Sequence, residues 1–458
     1  VASTLIALPL RSGEAFLLRT PDENGREWVI LVDGGKAYGK DSRELANILA
    51  DVKPTIDRID VVICTHSDAD HSQGLWFLAD DWYAMGRKIG EFWLPGRWAN
   101  AVPSILTDPS GFVAKLHSGA IQAASQIVRD TAEGFSLSRE DRYFKASAML
   151  AEGEVQAAVS RIDDVEYLLK VEAEFGEQSL GLGLTESEAE QLRADFEETD
   201  TEIDLLETAL NDKWTYRSWF DVPDEISLPH FLKMAPESQV AFAEVAETAK
   251  AIHKIATSAL VYKIRVRWFD FGEYKKDEVP LGGLPGLLEP CCAVEVVPSR
   301  AKAASLTNLK LFHSLRLTRQ NVESLVFYRP ESDREPAVLF LGDSRLAHGI
   351  ERPEKDFPRP FDKPARKTLI TAPHHGSRNN DHAFSVLTNW LGSSDQLFVR
   401  NGGQTGQTLD EYLARKNRRC AQCVQCHGKE WNQWVSVTTD GKDWRWPPNA
   451  NECGKPRS

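Results

Sequence analysis

Short apolar runs separated by turn-forming residues fill the first hundred positions. TLIAL from Thr4, AFLLRT from Ala15 and EWVILVD from Glu27 are strand patterns. The DENG turn between the last two predicts a hairpin. DSRELANILADV, from Asp41, predicts a helix with Leu45, Ile48 and Leu49 on one face. IDVVIC, from Ile59, is apolar at every position but Asp60, the pattern of a strand covered on both faces. A polar loop follows, then a helix near Ser72–Asp80 and the strand EFWLP.

From about residue 111 the spacing becomes helical, rich in Ala, Glu, Leu and Gln, with a break at Gly176–Gly183 and a last helix from Pro236. Strand patterns return at 261: KIRVRWFDF, CCAVEVVP, LKLFHSLRL, ESLVFYRP, AVLFLGD, TLITAP and QLFVR. A helix, TLDEYLARKN, and the strand WVSVTTDG end the series. Neither β-rich part is complete alone. The order therefore predicts an α/β fold: one sandwich whose halves, 1–110 and 261–458, are interrupted by an all-helical insertion at 111–260.

Composition adds exclusions. With 42% hydrophobic and 27% charged residues, collagen-like and disordered classes are out. No stretch of about 18 residues is free of charge, so no membrane span is expected. VASTLIALPLRSGEAF lacks a basic start and a small-residue cleavage site, which predicts no signal peptide. Seven cysteines without the spacing of a secreted scaffold point to a reducing cytoplasm, with Cys64, Cys291 and Cys292 as small buried residues. The net charge of −14 is unevenly spread. Residues 121–260 hold 29 acidic against 12 basic side chains, a net −17, which leaves +3 for the rest. The acidity argues against a nucleic-acid partner for the insertion, not for its flanks.

The candidate chemistry sits at strand ends. Thr65-His66-Ser67-Asp68-Ala69-Asp70-His71 leaves the buried strand IDVVIC, at the end where α/β sheets carry their sites. In an extended chain His66, Asp68 and Asp70 point the same way. Imidazole with carboxylate suits Zn²⁺, Mn²⁺ or Fe²⁺ better than Ca²⁺. The plain alternative is a polar loop with Asp70 as N-cap of the next helix. Two more strands end similarly, AVLFLGD in Gly342-Asp343 and TLITAP in His374-His375-Gly376-Ser377. One histidine of that pair has its own plain reading, packing beneath the sheet.

These motifs, in order, resemble the metallo-β-lactamase fold, and within it the metal-binding domain of the competence DNA-uptake channel protein ComEC. Ser12-Gly13-Glu14-Ala15 resembles the family's Gly-Asp-Ala turn, with Glu14 in the Asp place. Leu31-Val32-Asp33-Gly34-Gly35 is similar to its Asp-Gly-Gly turn, and Asn321-x-x-Ser324-Leu325-Val326 to its Asn-x-x-Ser-Leu-Val strand. The resemblance covers roughly 1–100 and 290–440. It implies an αββα sandwich and one or two divalent metals, zinc or manganese. His66 and Asp68 would hold one. Asp70, His71 and either His374 or His375 would hold the other, with Asp343 bridging. Asp33 would orient the motif loop, and His374 or Ser377 would contact substrate. Asp70, His71 and His374 are thus the expected catalytic residues. The sequence departs from the wider superfamily where another His ligand belongs, since CCAVEVVP runs into Pro298-Ser299-Arg300.

The implied activity is hydrolysis by a metal-activated water, of a phosphodiester or nucleic acid. Sequence alone leaves a lactone, thioester or amide open, and also an interaction protein on a degenerate scaffold. Arg345, Arg352, Lys355, Arg359, Lys363, Arg366, Lys367 and Arg378 either track a phosphate backbone or form a solvated loop. The acidic insertion is expected to dock a protein partner or gate the site. Cys420-x-x-Cys423-x-x-Cys426-His427 has spacing for a structural zinc, with His427 or downstream Cys453 as fourth ligand, or these are simply buried thiols.

Overall fold

The computed structural model describes residues 2–10, 12–36, 44–107, isolated positions within 112–122, and 236–277, 279–298, 307–315, 323–348, 356–377, 380–392, 396–401, 410–421, 434–446 and 453. Most of the expected insertion lies outside these residues, as do Cys423, Cys426 and His427. The chain divides into two compact units. One comprises Val1–Gly96, Ile264–Val297 and Leu317–Ser458; the other comprises Arg97–Lys263 and Pro298–Arg316.

The first unit contains two sheets. In the larger, β1 (Thr4–Ala7), β2 (Phe16–Pro21) and β3 (Glu27–Val32) run antiparallel, and β4 (Arg58–Ile63), β5 (Lys88–Pro95) and β6 (Arg265–Asp270) continue parallel to β3. The smaller is built on β7 (Glu289–Pro290), while β8 (Val294–Val296) edges the larger sheet beside β6. The smaller sheet continues through β9 (Phe327–Arg329), β10 (Val338–Phe340), β11 (Thr368–Thr371), β12 (Gln396–Arg400) and β13 (Arg418–Cys420), with β10 to β13 parallel. At the other edge of the larger sheet, β14 (Val435–Thr439) pairs with β1 and with β15 (Trp444–Arg445).

Strand alternation places the core. Phe16, Leu18, Ile30, Val61, Ile63 and Trp93 of the larger sheet share one buried cluster with Phe327, Val338, Phe340, Leu369 and Val399 of the smaller. The next residues along β10 to β12, Leu339, Ile370 and Phe398, face the opposite way. They pack under the helices Phe271–Asp277, Asp381–Leu391 and Asp410–Leu413, which contribute Tyr274, Phe384, Leu387, Trp390 and Tyr412. On the outer side of the larger sheet the helix Leu78–Ala84 packs on β5. It buries Leu78 and Trp82, and the helix Glu44–Asp51 beside it buries Leu45 and Leu49. Helices, two facing sheets and helices make a four-layered α/β domain. Trp82, Trp93 and Trp268 are fully buried, so large aromatic side chains fill this fold.

Three expectations change. LKLFHSLRL is not a strand: Asn308–Leu315 is a helix in the second unit, where the helix Pro236–Val261 contacts it. Leu311 and Leu315 stand four apart on one buried face, and Thr307 Oγ1 accepts the Lys310 N–H at 3.3 Å as an N-cap. CCAVEVVP is not one strand either, because the chain bends at Cys291–Ala293 between the two sheets. The helix expected near Ser72–Asp80 is two pieces: one turn at Ala69–Ser72 running into a 3₁₀ turn at Gln73–Leu75, then Leu78–Ala84. Among the described residues no helix is long and apolar enough to cross a membrane.

Candidate metal centre

Parallel pairing gathers the chemistry at one edge of each sheet. β3 and β4 end side by side, with Val32 opposite Ile63, and deliver Asp33 and the 64–71 loop. β10 and β11 deliver Asp343 and the His374–His375 pair. The loop does not stay extended. It turns helical at Ala69, so Asp70 and His71 lie within the first turn and Asp68, not Asp70, takes the N-cap position, without a capping bond from its carboxylate. Two glycines permit the docking of that turn. A Cβ on Gly74 would lie 2.0 Å from Gly34 O, in a contact closed by Gly34 N–H to His71 O at 2.7 Å and Gly74 N–H to Gly35 O at 2.9 Å.

Asp33 is fully buried at φ 60 and accepts three hydrogen bonds. Thr65 N–H donates to Oδ1 at 2.8 Å; Thr65 Oγ1 and His71 Nδ1 donate to Oδ2, each at 2.8 Å. Because the carboxylate only accepts, His71 carries its proton on Nδ1 and turns Nε2 into the site. The same logic passes through Thr65. Its hydroxyl proton goes to Asp33, so its oxygen accepts from His66 Nδ1 at 2.9 Å, and His66 Nε2 faces inward. That Nε2 is buried and makes no hydrogen bond. His375 Nδ1 donates to the Asn401 carbonyl at 2.9 Å, which turns its Nε2 inward too.

Three imidazole lone pairs therefore converge with carboxylate oxygens. His71 Nε2 lies 3.2 Å from His375 Nε2 and 3.1 Å from Asp343 Oδ1. His375 Nε2 lies 3.1 Å from Asp70 Oδ2, and His66 Nε2 is 3.7 Å from Asp343 Oδ2. Two unprotonated nitrogens facing each other at that separation repel unless a cation or proton lies between them. The donor atoms form overlapping groups suited to one or two divalent ions: His66, His71 and Asp343, and Asp70, His71 and His375. A third group, Glu14, Asp33 and His71, also comes within range, but Asp33 is already committed to Thr65 and His71.

The protons of the metal-free site follow this crowding. Burial would raise the carboxyl of Asp343, but His374, His71 and His375 outweigh it and hold the group well below the ordinary carboxylate range. Asp70 is likewise lowered, its bond to His375 overcoming burial. Burial would lower His71 and His375, yet both are pushed well above ordinary imidazole. Asp343 and Asp33 do this for His71, and Asp343, Asp70 and Glu14 for His375. Burial wins at His374, which is lowered, and at Glu14, which is raised. Protons and metal compete for the same atoms.

The remaining expected residues stand further out. Asp68 is 3.7 Å from His66 Nε2 and two-fifths exposed. His374 lies 3.5 Å from Asp343 Oδ2. It shares a left-handed backbone with His375, at φ 48 and 53, which costs about 1–2 kcal/mol per residue. Ser377 Oγ makes no hydrogen bond, and its N–H donates to His374 O at 2.8 Å. Arg366 is committed to Glu331 and to the carbonyls of Ser332, Glu335 and Gly441. Cys420 is buried in the same core as Cys453 and Tyr412. The sequence reading missed Thr65, Ser324, Asn380 and Asn401. Ser324 Oγ accepts the Asp343 N–H at 3.1 Å, and Asn380 Nδ2 donates to the carbonyls of Asp343 and Ser344. Thr65, adjoining His66, and Ser324, within the Asn321-x-x-Ser324-Leu325-Val326 motif, offered a sequence signal; Asn380 and Asn401 offered none.

Residues 9–108 match the model of the Metallo-beta-lactamase superfamily. This stretch of the chain is a metallo-beta-lactamase-superfamily domain. The matched stretch holds Glu14, Asp33 and the His66–His71 motif, and the chain beyond it supplies Asp343 and His375 to the same clusters. The domain with its metal-binding clusters is that of a metal-dependent hydrolase. No curated protein matches the chain.

Proposed function

We propose that this chain is a metal-dependent phosphodiesterase, with nucleic acid or a nucleotide as substrate. The observation that carries the hydrolase part is the inward turning of three Nε2 atoms, His66, His71 and His375, by partners that can only accept at Nδ1. In this reading His66 and Asp68 would hold one divalent ion, zinc or manganese, Asp70, His71 and His375 would hold the other, and the two carboxylate oxygens of Asp343 would serve both. Metal bound there supplies the Lewis acidity that activates water and neutralises a developing oxyanion. The chain's own residues do the rest. Asp33 and Thr65 hold the imidazole tautomers, Ser324 and Asn380 hold the Asp343 loop, and His374, at the more open side of Asp343, contacts substrate.

The phosphodiester part rests on the ordered resemblance of the motifs to the ComEC-like uptake domain. The retained ligand set argues against a degenerate scaffold, since residues from separate strand ends would have no reason to converge. The same reading keeps a sandwich in two parts, 1–110 and 261–458, around an acidic insertion that docks a protein partner, in a reducing cytoplasm. The test is elemental analysis of the purified chain followed by cleavage assays with Mn²⁺ or Zn²⁺ on single- and double-stranded nucleic acid and on lactone, thioester and amide esters. Metal-dependent cleavage of a phosphodiester is expected. Turnover confined to a carbonyl substrate would reject the substrate class, and no metal uptake at all would reject the enzyme.

A further inference from the structure

Glu14 precedes β2 and is almost fully buried, at 1% exposure. Neither carboxylate oxygen makes a hydrogen bond of good geometry. Its Oε2 faces His375 Nδ1 at 3.3 Å, beside the Asn401 carbonyl that accepts the same proton at 2.9 Å. Asn401 is itself fixed, its Nδ2 donating to the carbonyls of Leu8 and Ala15. The Glu14 backbone is tied to the opposite side of the cluster: its N–H donates to Asp70 O at 2.7 Å, and its carbonyl accepts Gly35 N–H at 2.9 Å. A carboxylate buried this deeply is costly unless it faces positive charge. An imidazole N–H polarised from its far nitrogen provides that charge.

We infer that Glu14 is a positioning residue for His375, its charge at 3.3 Å favouring the Nδ1–H that the Asn401 carbonyl accepts. The inference rests on the metal-hydrolase reading above. It assigns the metal-facing role in the pair to His375, whose Nδ1–H has a carboxylate behind it. It also explains why a longer acidic side chain stands in the turn before β2: the reach from the strand end to the ring is bridged without displacing the Asn401 carbonyl. A carboxylate then stands behind each of two imidazoles of one cluster, Asp33 as the direct acceptor and Glu14 beside the carbonyl acceptor.

The probe is Co²⁺, added to the full chain after chelator treatment, for wild type, Glu14→Gln and Glu14→Ala. Gln keeps the shape and an acceptor oxygen but removes the charge. Co²⁺ affinity is expected to fall about 10–100-fold in Glu14→Gln and at least as far in Glu14→Ala. The thermal midpoint of metal-free Glu14→Gln is expected not to fall, because a neutral amide is easier to bury than a carboxylate. A merely structural role would give the reverse, a lower midpoint with unchanged Co²⁺ affinity, and would overturn the inference. Should these two variants not fold, the ¹⁵N-histidine spectra of Zn²⁺-loaded wild type and Glu14→Asp decide, with His375 assigned by its loss in His375→Asn. An Nδ1–H proton that moves upfield in Glu14→Asp, which draws the carboxylate back and leaves the Asn401 carbonyl in place, supports the inference; metal on Nδ1, or an Nδ1–H unchanged in Glu14→Asp, rejects it. Wild type that takes up neither Co²⁺ nor Zn²⁺ fails before any substitution, which marks the failure of the hydrolase reading itself.

Discussion

His71 is the residue on which the site turns. It belongs to both ligand clusters, and its ring centroid lies 4.1 Å from that of His66 and 4.9 Å from that of His375. Its one free nitrogen can serve only one ion, so His71→Ala, like His375→Ala, should cost one metal, and His66→Ala the other. Elemental analysis of the three purified variants checks this, and a His71→Ala protein that keeps its full metal content would show that His71 is not a ligand. The position also carries packing. His71 is fully buried despite lying on what the sequence reads as a loop, so truncation should cost about 1–3 kcal/mol of stability as well. Asp70, with a side chain 38% exposed, should cost far less. The residue types and their order were legible because imidazole and carboxylate at strand ends are rare as accidents. Which of His374 and His375 turns its Nε2 toward His71 was not, because adjacent side chains diverge by an angle that the left-handed backbone at both positions sets.

At the scale of elements, the short turn Ala69–Ser72 and the glycines beneath it set the ligand geometry. Gly74→Ala would drive a methyl group against the Gly34 carbonyl, a backbone atom with no freedom to yield. Overpacking of that kind costs typically about 1–3 kcal/mol. We expect a lowered thermal midpoint together with weakened metal binding, because the displaced turn carries His71 with it. Calorimetry of the metal-free and loaded protein measures both, and a variant with a normal midpoint would mean that the turn can shift. Gly342 has a similar duty at φ +48, where a Cβ would sit 2.5 Å from Ser324 Oγ and 2.8 Å from Thr65 Oγ1, the hydroxyls that brace Asp343 and His66. Most strands were readable from period and β-branched content. The helix at Asn308–Leu315 was misread because an alternating apolar run and an i, i+4 pair share the same residues, and only its packing partner decides between them.

For the whole molecule, the charge of the site couples folding to pH. His71 and His375 have folded values well above 6.5. In the metal-free protein their contribution is fully present below about pH 6.5 and is lost as pH rises through those folded values. Asp70 and Asp343 have folded values below 3.8, so their contribution is present above that pH and is lost as pH falls through the folded values. The site thus favours the metal-free fold most between about pH 4 and 6.5. Metal takes the same nitrogens, so the stabilisation it brings should grow with pH. Thermal unfolding across that range, with chelator and with Zn²⁺ or Mn²⁺, reads the difference. A metal-induced shift that is larger in acid than at neutral pH would contradict the shared use of these atoms.

The α/β class and the strand ends that carry imidazole and carboxylate were readable from the chain alone. These follow from local period and from residue chemistry, which need no knowledge of the rest of the chain. Which atoms converge is a property of the folded chain. Asp343 and His375 lie some 270 to 300 positions from the His66–His71 motif, and it is parallel pairing in two facing sheets that brings them within hydrogen-bonding distance of it. The supports at Asn380 and Asn401 belong to the same class of fact. Each is an ordinary polar residue whose role comes from the buried group it happens to face, and a chain read one position at a time carries no record of that.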